Sequence, residues 1–416
     1  MSIFREKVFW ISVLLVSVSF GFLFNYLYSN DLFIDVITPL ETKKPAGDDS
    51  ELKKQIGQMI MIGFRGTEAS ADSYFERSEK QGSEEQSSEG SYIAKVIQDL
   101  KIGGVVLFDY DIPSKSFPRN IINPEQTKSL ISDLKKYSSV PLFIAVDAEG
   151  GKVNRLKPEY GFIAIPSPVE MGRGSIENTE KIANGLAKEL KDLGFNMNLA
   201  PVVDVNIDPK NPIIGGLDRS FSADPAQVFE HAKAFILAHR QNNIITVAKH
   251  FPGHGSSSND SHLGIVEITQ SYKEEELIPY ERLQDEGLLD SVMIAHVINR
   301  NVDANFPATL SPLFIEGILR NQIGFKGLVI SDDAQMGAIS ENYGFEEAVI
   351  RMVNAGCNII AISNNSPLGY DEDLPYKTFD IIYNAVKRGE ISAEKITESY
   401  ELIYKLKEQY LFDKGQ

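Results

Sequence analysis

Short, almost uninterrupted apolar runs recur along the chain, and the segments between them repeat apolar residues at helical spacing. Such runs are typical of strands buried on both faces, as in a parallel sheet covered by helices. Eight of them occupy residues 56–64, 103–108, 142–147, 196–201, 245–251, 291–296, 327–333 and 358–363. Residues 177–194 and 311–323 show the helical pattern that lies between the runs.

This alternation predicts an α/β fold. Eight β–α units within residues 51–416 favour a single (β/α)8 barrel of the TIM type, although the pattern alone leaves an open doubly wound sheet as an alternative. Residues 68–91 are rich in Ser and Glu and poor in apolar residues, which predicts a low-complexity acidic insertion after the first strand. A solvated spacer is the simpler interpretation of this insertion, and a partner-binding acidic loop is the other.

The N-terminal region has a different pattern. Residues 8–27 carry no charge, which is about the length that spans a bilayer core. Arg5 and Lys7 precede this run and acidic residues follow it, so the positive-inside bias predicts a signal anchor over residues 1–30, with the rest of the chain outside the cytoplasm. Residues 31–50 then form a polar stalk. A cleaved signal peptide, which would give a secreted protein, and a buried helix are the alternatives.

Charge and cysteine content exclude several classes of function. The chain has 41 Lys and Arg against 58 Asp and Glu, a formal charge of −17, so we expect no nucleic-acid partner. Cys357 is the only cysteine of the sequence, which excludes an internal disulfide, a Cys-rich zinc site and an iron–sulfur cluster.

Charged residues cluster where the predicted strands end. In a TIM-type barrel the carboxyl ends of the strands surround one pocket. The residues at these ends are Asp147, Glu149, Lys249, His250, His296, Asp332 and Asp333. A single Asp after a strand is more often the N-cap of the next helix. Seven charged groups at one predicted edge indicate a functional site.

The segment after the fifth run, KHFPGHGSSSNDSH (residues 249–262), carries the most specific pattern. Asp260 stands two residues before His262, where its carboxylate can orient the imidazole and favour the protonated ring. Such a histidine can donate a proton to a leaving group. An Asx turn on a solvated loop would explain the Asp-Ser-His motif if it stood alone.

Four residues of this segment suggest metal binding at first sight: His250, His254, Asp260 and His262. Their irregular spacing does not match the helical H-E-x-x-H arrangement of metal hydrolases. We therefore expect neither a metal ion nor another cofactor.

KHFPGHG, a four-residue spacer and DSH closely resemble the signature of glycoside hydrolase family 3, in its β-N-acetylglucosaminidase subgroup. The resemblance extends from about residue 52 to 410. It includes IGQMIMIGF, GGVVLF, DAEGGKVNRL, NLAPVVDVN, DRSF and PATLSPLFIEGILRNQIGFKGLVISDDAQMGAI.

The resemblance implies a (β/α)8 barrel that removes terminal β-linked GlcNAc with retention of configuration, from peptidoglycan fragments, chitooligosaccharides or related glycans. It implies that Asp332 is the nucleophile and that His262, paired with Asp260, is the general acid/base. The sugar-binding residues that it implies are Asp147, Arg155, Arg219, Lys249 and His250. We expect a carbohydrate substrate and a monomer.

Two departures from the family pattern stand near this predicted site. Lys152 replaces the usual Arg after EGG, and one or two extra residues precede Arg219. A family 3 β-glucosidase or xylosidase, a GlcNAc phosphorylase and a non-catalytic cell-wall sugar-binding protein are the alternative functions. The Asp-Ser-His motif argues against the first of these.

Overall fold

Eight parallel strands form the central sheet of the protein. The computed structural model describes residues 49–69, 89–260, 264, 266–340 and 342–412. The strands are β1 Ile60–Gly63, β2 Gly104–Leu107, β3 Phe143–Val146, β4 Met197–Asn198, β5 Ile245–Phe251, β6 Ser291–Ile294, β7 Leu328–Ser331 and β8 Ile360–Ile362. Each strand lies inside one of the eight apolar runs, which confirms the predicted strands.

The order of the strands shows that the sheet closes into a barrel. Neighbours follow the order β7-β6-β5-β4-β3-β2-β1-β8, and every named pair is parallel. At the two ends of this order Ile330 of β7 forms a parallel bridge with Ile359, just before β8. The N–H of Ser331 donates to the carbonyl of Ile359 at 3.0 Å. The sheet is therefore of the TIM type, and the doubly wound alternative is wrong.

Helices fill the connections between the strands. They span Asp49–Gln58, Glu89–Leu100, Pro124–Lys136, Pro168–Gly172, Ile176–Leu193, Pro225–Gln241, Ile278–Asp285, Gly337–Ser340, Phe345–Ala355, Leu374–Arg388 and Ala393–Tyr410. The helix predicted over residues 177–194 is shifted by one residue because of its caps. Ser175 accepts the N–H of Asn178 at its start, and Gly194 ends it at a φ of 96°.

The helix predicted over residues 311–323 has nearly the expected bounds but another hydrogen-bond pattern. It is a π-helix over Leu313–Gln322. Its bonds reach five residues back, as in the 2.9 Å bond from the N–H of Ile323 to the carbonyl of Ile318. Apolar spacing over three turns does not distinguish this helix from an α-helix, so the sequence pattern could not reveal it.

Two short strand pairs lie at the ends of the barrel strands. Ala148–Gly150 pairs antiparallel with Val153–Asn154 directly after β3. Val266–Glu267 pairs in parallel with Val297–Ile298 after β6. Both pairs belong to the loops that follow the carboxyl ends of strands, where function is placed in this fold.

The predicted N-terminal elements lie mostly outside the described residues. The predicted anchor over residues 1–30 is outside them, and so is the stalk as far as residue 48, because Asp49 begins the first described helix. Within the described ranges, no helix is long and apolar enough to cross a membrane. Of the predicted insertion over residues 68–91, residues 70–88 also lie outside the description, and residues 89–91 begin a helix.

Candidate active site

A cavity of about 600 Å³ opens at the carboxyl ends of the barrel strands. Seven of the eight predicted site residues line it: Asp147, Arg155, Arg219, Lys249, His250, Asp260 and Asp332. The eighth, His262, lies outside the described residues. The fold therefore brings together residues that the chain separates by up to 185 positions, from Asp147 to Asp332.

Lys249, on β5, is the central cation of this cavity. Its Nζ lies 2.7 Å from Oδ1 of Asp147 and 2.7 Å from Oε1 of Glu149. Burial alone would lower the pKa of Lys249, but the two carboxylates outweigh burial and raise it. The ammonium group therefore stays charged. Two of its three N–H groups can bond these carboxylates.

Arg219 is buried and directed mainly at protein groups. It donates to both oxygens of Glu149, at 2.8 and 2.7 Å. Its Nη1 donates to the carbonyl of Ile213 at 3.1 Å, and its Nη2 is 3.2 Å from Nε2 of His250. Four of its five N–H donors are thus occupied. Arg219 lines the predicted sugar site, but most of its hydrogen bonds hold Glu149 and His250 in place.

Asp204 is a site residue that sequence reasoning missed. It is completely buried, and its Oδ2 lies 2.7 Å from Nδ1 of His250. Its Oδ1 accepts the backbone N–H of His254 at 2.8 Å. Because the guanidinium of Arg219 can only donate, Nε2 of His250 accepts and the ring proton on Nδ1 points to Asp204. Asp204 directly follows the apolar residues 199–203, within the motif NLAPVVDVN, so an acidic residue after an apolar run was the signal that could have identified it.

Asp332 and Asp333 follow β7 and face different partners. The backbone N–H of Asp332 donates to the carbonyl of Ile294 at 3.1 Å, and its Oδ1 accepts the N–H of Asp333 at 2.8 Å. Asp333 accepts the N–H of Ser363 at 3.0 Å and also bonds the Ser363 hydroxyl. Burial raises the pKa of Asp333. Asp333 therefore supports the end of the barrel by joining β7 to the residue after β8.

Arg155 and Lys152 occupy different positions, although both belong to the same motif. Arg155 lines the cavity, and its Nη2 lies 3.7 Å from Oδ2 of Asp147. Lys152 is exposed, and its Nζ contacts the carbonyl of Gly216 at 3.0 Å and Oδ2 of Asp218 at 3.1 Å. The replacement of the usual Arg by Lys152 therefore affects a surface contact near the site.

His254, in the described part of the loop after β5, is engaged with protein groups. Nδ1 of His254 lies 2.7 Å from the hydroxyl of Ser257, and burial lowers the pKa of His254 to about 4, so the ring is neutral near pH 7. Across the described residues, no group of three or more His, Cys, Asp or Glu is arranged to hold a metal ion.

The rim of the cavity combines two loops that are clamped together. Tyr110 and Ile112 follow β2, Leu368 follows β8, and all three are exposed apolar side chains that line the opening. Asn365 joins these loops, because it accepts the N–H of Ile112 at 2.9 Å and donates to the carbonyl of Tyr110 at 3.0 Å. The buried Arg119 donates to the carbonyl of Asn364 at 2.8 Å.

The cavity thus combines carboxylates, fixed cations and an apolar wall. An ionised carboxylate at a strand end can attack an electrophilic carbon, and charged groups held by several partners can bind hydroxyl groups with little reorganisation. Apolar side chains such as Phe108 and Met293 also line the cavity and can pack against the C–H face of a sugar ring.

Comparison with known proteins yields a consistent set of similarities. Residues 51–406 match the sequence profile described as Glycosyl hydrolase family 3 N terminal domain. The beta-hexosaminidase of Photobacterium profundum is 34% identical over 272 residues, which are 65% of this chain and 77% of that protein. Beta-hexosaminidase A of Pseudoalteromonas piscicida is 30% identical over 338 residues, 76% of this chain and 54% of that protein.

Among solved structures, a glycoside hydrolase family 3 beta-N-acetylglucosaminidase from Paenibacillus superposes with a TM-score of 0.74 at 31% identity. The match covers 88% of this chain and 65% of the Paenibacillus chain. This chain therefore spans slightly less than two thirds of the protein whose structure it resembles.

Proposed function

The chain belongs to glycoside hydrolase family 3, and from this premise we propose that it is a retaining, exo-acting β-N-acetylglucosaminidase. It is a glycosidase of the β-N-acetylhexosaminidase type. Its substrates are glycans that end in β-linked GlcNAc, such as peptidoglycan fragments and chitooligosaccharides. The observation that carries the proposal is that Asp332 and Asp260 line one cavity together with the predicted sugar-binding residues.

The proposed reaction proceeds in two steps at Asp332. In the first, its carboxylate attacks the anomeric carbon while His262, oriented by Asp260, protonates the leaving oxygen, so that the glycosidic bond breaks and a glycosyl-aspartate forms. In the second, His262 removes a proton from water, the water oxygen attacks the anomeric carbon, and Asp332 leaves as a carboxylate. Two displacements restore the original configuration.

The network around Lys249 supplies the binding groups for the terminal sugar. Asp147 accepts from Lys249 and faces the cavity, so its carboxylate can also accept from sugar hydroxyls. Lys249 and the guanidinium of Arg155 are hydrogen-bond donors that line the same cavity. Because the protein already holds these groups in place, binding requires little further ordering of side chains.

We further propose that the enzyme is attached to a membrane and acts outside the cytoplasm as a monomer. The uncharged run over residues 8–27, with basic residues before it, supports the attachment. Protease added to spheroplasts or protoplasts, in which the outer face of the cytoplasmic membrane is accessible, should degrade the catalytic domain if it lies on the periplasmic or extracellular face, whereas protection would contradict this orientation.

The reaction is tested with the p-nitrophenyl β-glycosides of GlcNAc and glucose. We expect cleavage of the GlcNAc substrate only, and a loss of kcat of about 10³-fold or more in Asp332→Asn, because the neutral amide is a poor nucleophile. Asp192→Asn, an exposed helix position, is the matched control and should retain full activity. His262→Ala removes the general acid, so we expect kcat for unactivated substrates to fall about 10²–10⁴-fold.

Each alternative gives a different result. Equal cleavage of the glucoside would indicate a β-glucosidase. Faster turnover in phosphate, with release of GlcNAc 1-phosphate, would indicate a phosphorylase. Binding of chitobiose without cleavage would indicate a sugar-binding protein, and full activity in Asp332→Asn would refute the assigned nucleophile.

A further inference from the structure

A second buried carboxyl group lies beneath the loop that follows β5, and the proposed reaction does not use it. Glu276 belongs to the turn Glu274–Leu277, and its side chain is completely buried. Its Oε2 accepts the backbone N–H of Gly255 at 2.9 Å. Glu276 is therefore bonded to the loop that leads from Lys249 and His250 to Asp260.

The loop backbone packs directly onto this carboxyl group. At Gly253, with a φ of 130°, a Cβ atom would lie 2.6 Å from Cβ and 2.9 Å from Cδ of Glu276. At Gly255 a Cβ atom would meet the carbonyl oxygen of Val205 at 1.7 Å. Only glycine allows so close an approach. The path of the loop is thus matched to the position of Glu276.

The same loop is held from its other side by Asp204. That carboxylate accepts the backbone N–H of His254 at 2.8 Å and contacts the N–H of His250 at 3.2 Å. The hydroxyl of Tyr272 donates to the carbonyl of Pro252 at 3.2 Å. Two buried carboxylates therefore fix consecutive peptide groups of the loop, and a charged acceptor holds a peptide N–H about twice as strongly as a neutral one.

We propose that Glu276 is a positioning residue for proton transfer: its carboxylate holds the loop at Gly255 so that Asp260, and through it the acid/base His262, reaches the leaving-group oxygen. This inference rests on the proposed function. Glu276 acts through the loop and does not touch the sugar. Its loss should therefore impair proton transfer to the leaving group more than attack by Asp332.

The environment of Glu276 makes this role sensitive to pH. Burial raises the pKa of Glu276 to about 7, against the opposing effect of the hydrogen bond from the N–H of Gly255. The titratable groups that face this region from the surrounding elements are Asp204, His254, Tyr272 and Tyr280. Below that pKa the carboxyl group is neutral and holds the loop less firmly. Activity that needs the acid should therefore fall as the pH drops through about 7.

The test compares Glu276→Gln with wild type on two substrates that differ in their need for an acid. The aglycone of the 2,4-dinitrophenyl β-glycoside of GlcNAc leaves without protonation. The sugar that leaves when chitobiose is cleaved needs a proton from the general acid. We expect kcat/KM for chitobiose to fall about 10–100-fold, a fraction of the full contribution of a general acid, and kcat/KM for the dinitrophenyl substrate to change by less than about 2-fold. The acidic limb near pH 7 should disappear from the chitobiose profile.

Three further variants make the outcome decisive. Tyr272→Phe removes an uncharged loop contact and should keep the acidic limb. Glu276→Asp keeps the charge but withdraws it from Gly255, so the same selective loss should appear if Glu276→Gln does not fold. Equal losses on both substrates, or an unchanged pH profile, would overturn the inference. His262→Ala serves as the benchmark: if it lacks the selective loss, the acid/base assignment itself is wrong.

Discussion

Glu149 shows how one buried residue holds the cations of the site. Its oxygens contact Arg219 at 2.7 and 2.8 Å and Lys249 at 2.7 Å, and its side chain has no exposed surface. Burial alone would raise the pKa of Glu149, but the charges of Arg219 and Lys249 outweigh burial and lower it. The ionised form is therefore part of the folded structure.

Replacing this charge should destabilise the whole domain. Glu149→Gln leaves Arg219 and Lys249 with too little compensating charge, and we expect the free energy of unfolding to fall by about 3 kcal/mol. Urea denaturation at pH 7 measures this change. Glu347→Gln, whose partner Arg351 is exposed like Glu347 itself, is the control and should change stability by less than about 0.5 kcal/mol. Equal effects would contradict the buried-pair interpretation.

The lowered pKa of Glu149 also predicts how the free energy of unfolding changes in acid. Because the pKa of Glu149 is lower in the folded than in the unfolded state, its contribution to stability is complete above the ordinary value of 4.5 and is lost as the pH falls below it. The difference in unfolding free energy between wild type and Glu149→Gln should therefore shrink below pH 4.5. A constant difference down to pH 3 would show that the charge of Glu149 is not responsible.

At the scale of elements, the loops after β2 and β8 form one wall through Arg119. This side chain is buried, forms an ion pair with Asp111, and donates to Oδ1 of Asn365 at 3.2 Å. Since Asn365 in turn bonds Tyr110 and Ile112, the exposed apolar rim depends on a buried cation.

Removing the contacts of Arg119 with Asp111 and Asn365 should affect the binding of long substrates more than the chemical step. In Arg119→Met we expect KM for chitotriose to rise several-fold, with kcat for the p-nitrophenyl substrate changed by less than about 2-fold, because the rim residues carry none of the reacting groups and binding there is uniform. Arg65→Met, which removes the half-buried partner of Asp111, should have the weaker effect. An unchanged KM would show that the rim does not contact substrate.

At the scale of the whole molecule, the C-terminal helix closes the amino end of the barrel with a buried lysine. Nζ of Lys407 donates to Oε1 of Gln58 at 2.7 Å and to the carbonyl of Gly103 at 2.9 Å. It also lies 4.7 Å from the centre of the Phe143 ring. Burial lowers the pKa of Lys407 from 10.5 to about 7.

The lowered pKa of Lys407 predicts that the free energy of unfolding increases with pH. Between pH 7 and 10 the unfolded chain binds a proton that the folded chain has released, so folding becomes more favourable as the pH rises. Relative to Lys407→Met, wild type should gain up to about 1.4 kcal/mol per pH unit in this window. Lys405→Met, exposed on the same helix, is the control and should follow the wild-type profile. Parallel profiles for wild type and Lys407→Met would contradict the lowered pKa.

The barrel strands and the motifs that end them could be predicted from the sequence alone. Strands buried on both faces require continuous apolar runs, so all eight were visible, and the fold then placed Asp147, Lys249, Asp260 and Asp332 at one edge. The motif at residues 249–262 could also be recognised in the sequence, because its members are neighbours in the chain.

Which side chains pair within the site could not be predicted from the sequence, because the partners are far apart in the chain. The roles of Asp204 and Glu276 arise from contacts with loop peptides about 50 and 20 positions away in the chain. Arg219 was predicted to bind sugar, yet four of its five donors meet protein groups. Charge pairing depends on distance in space, and the closure of the barrel sets that distance.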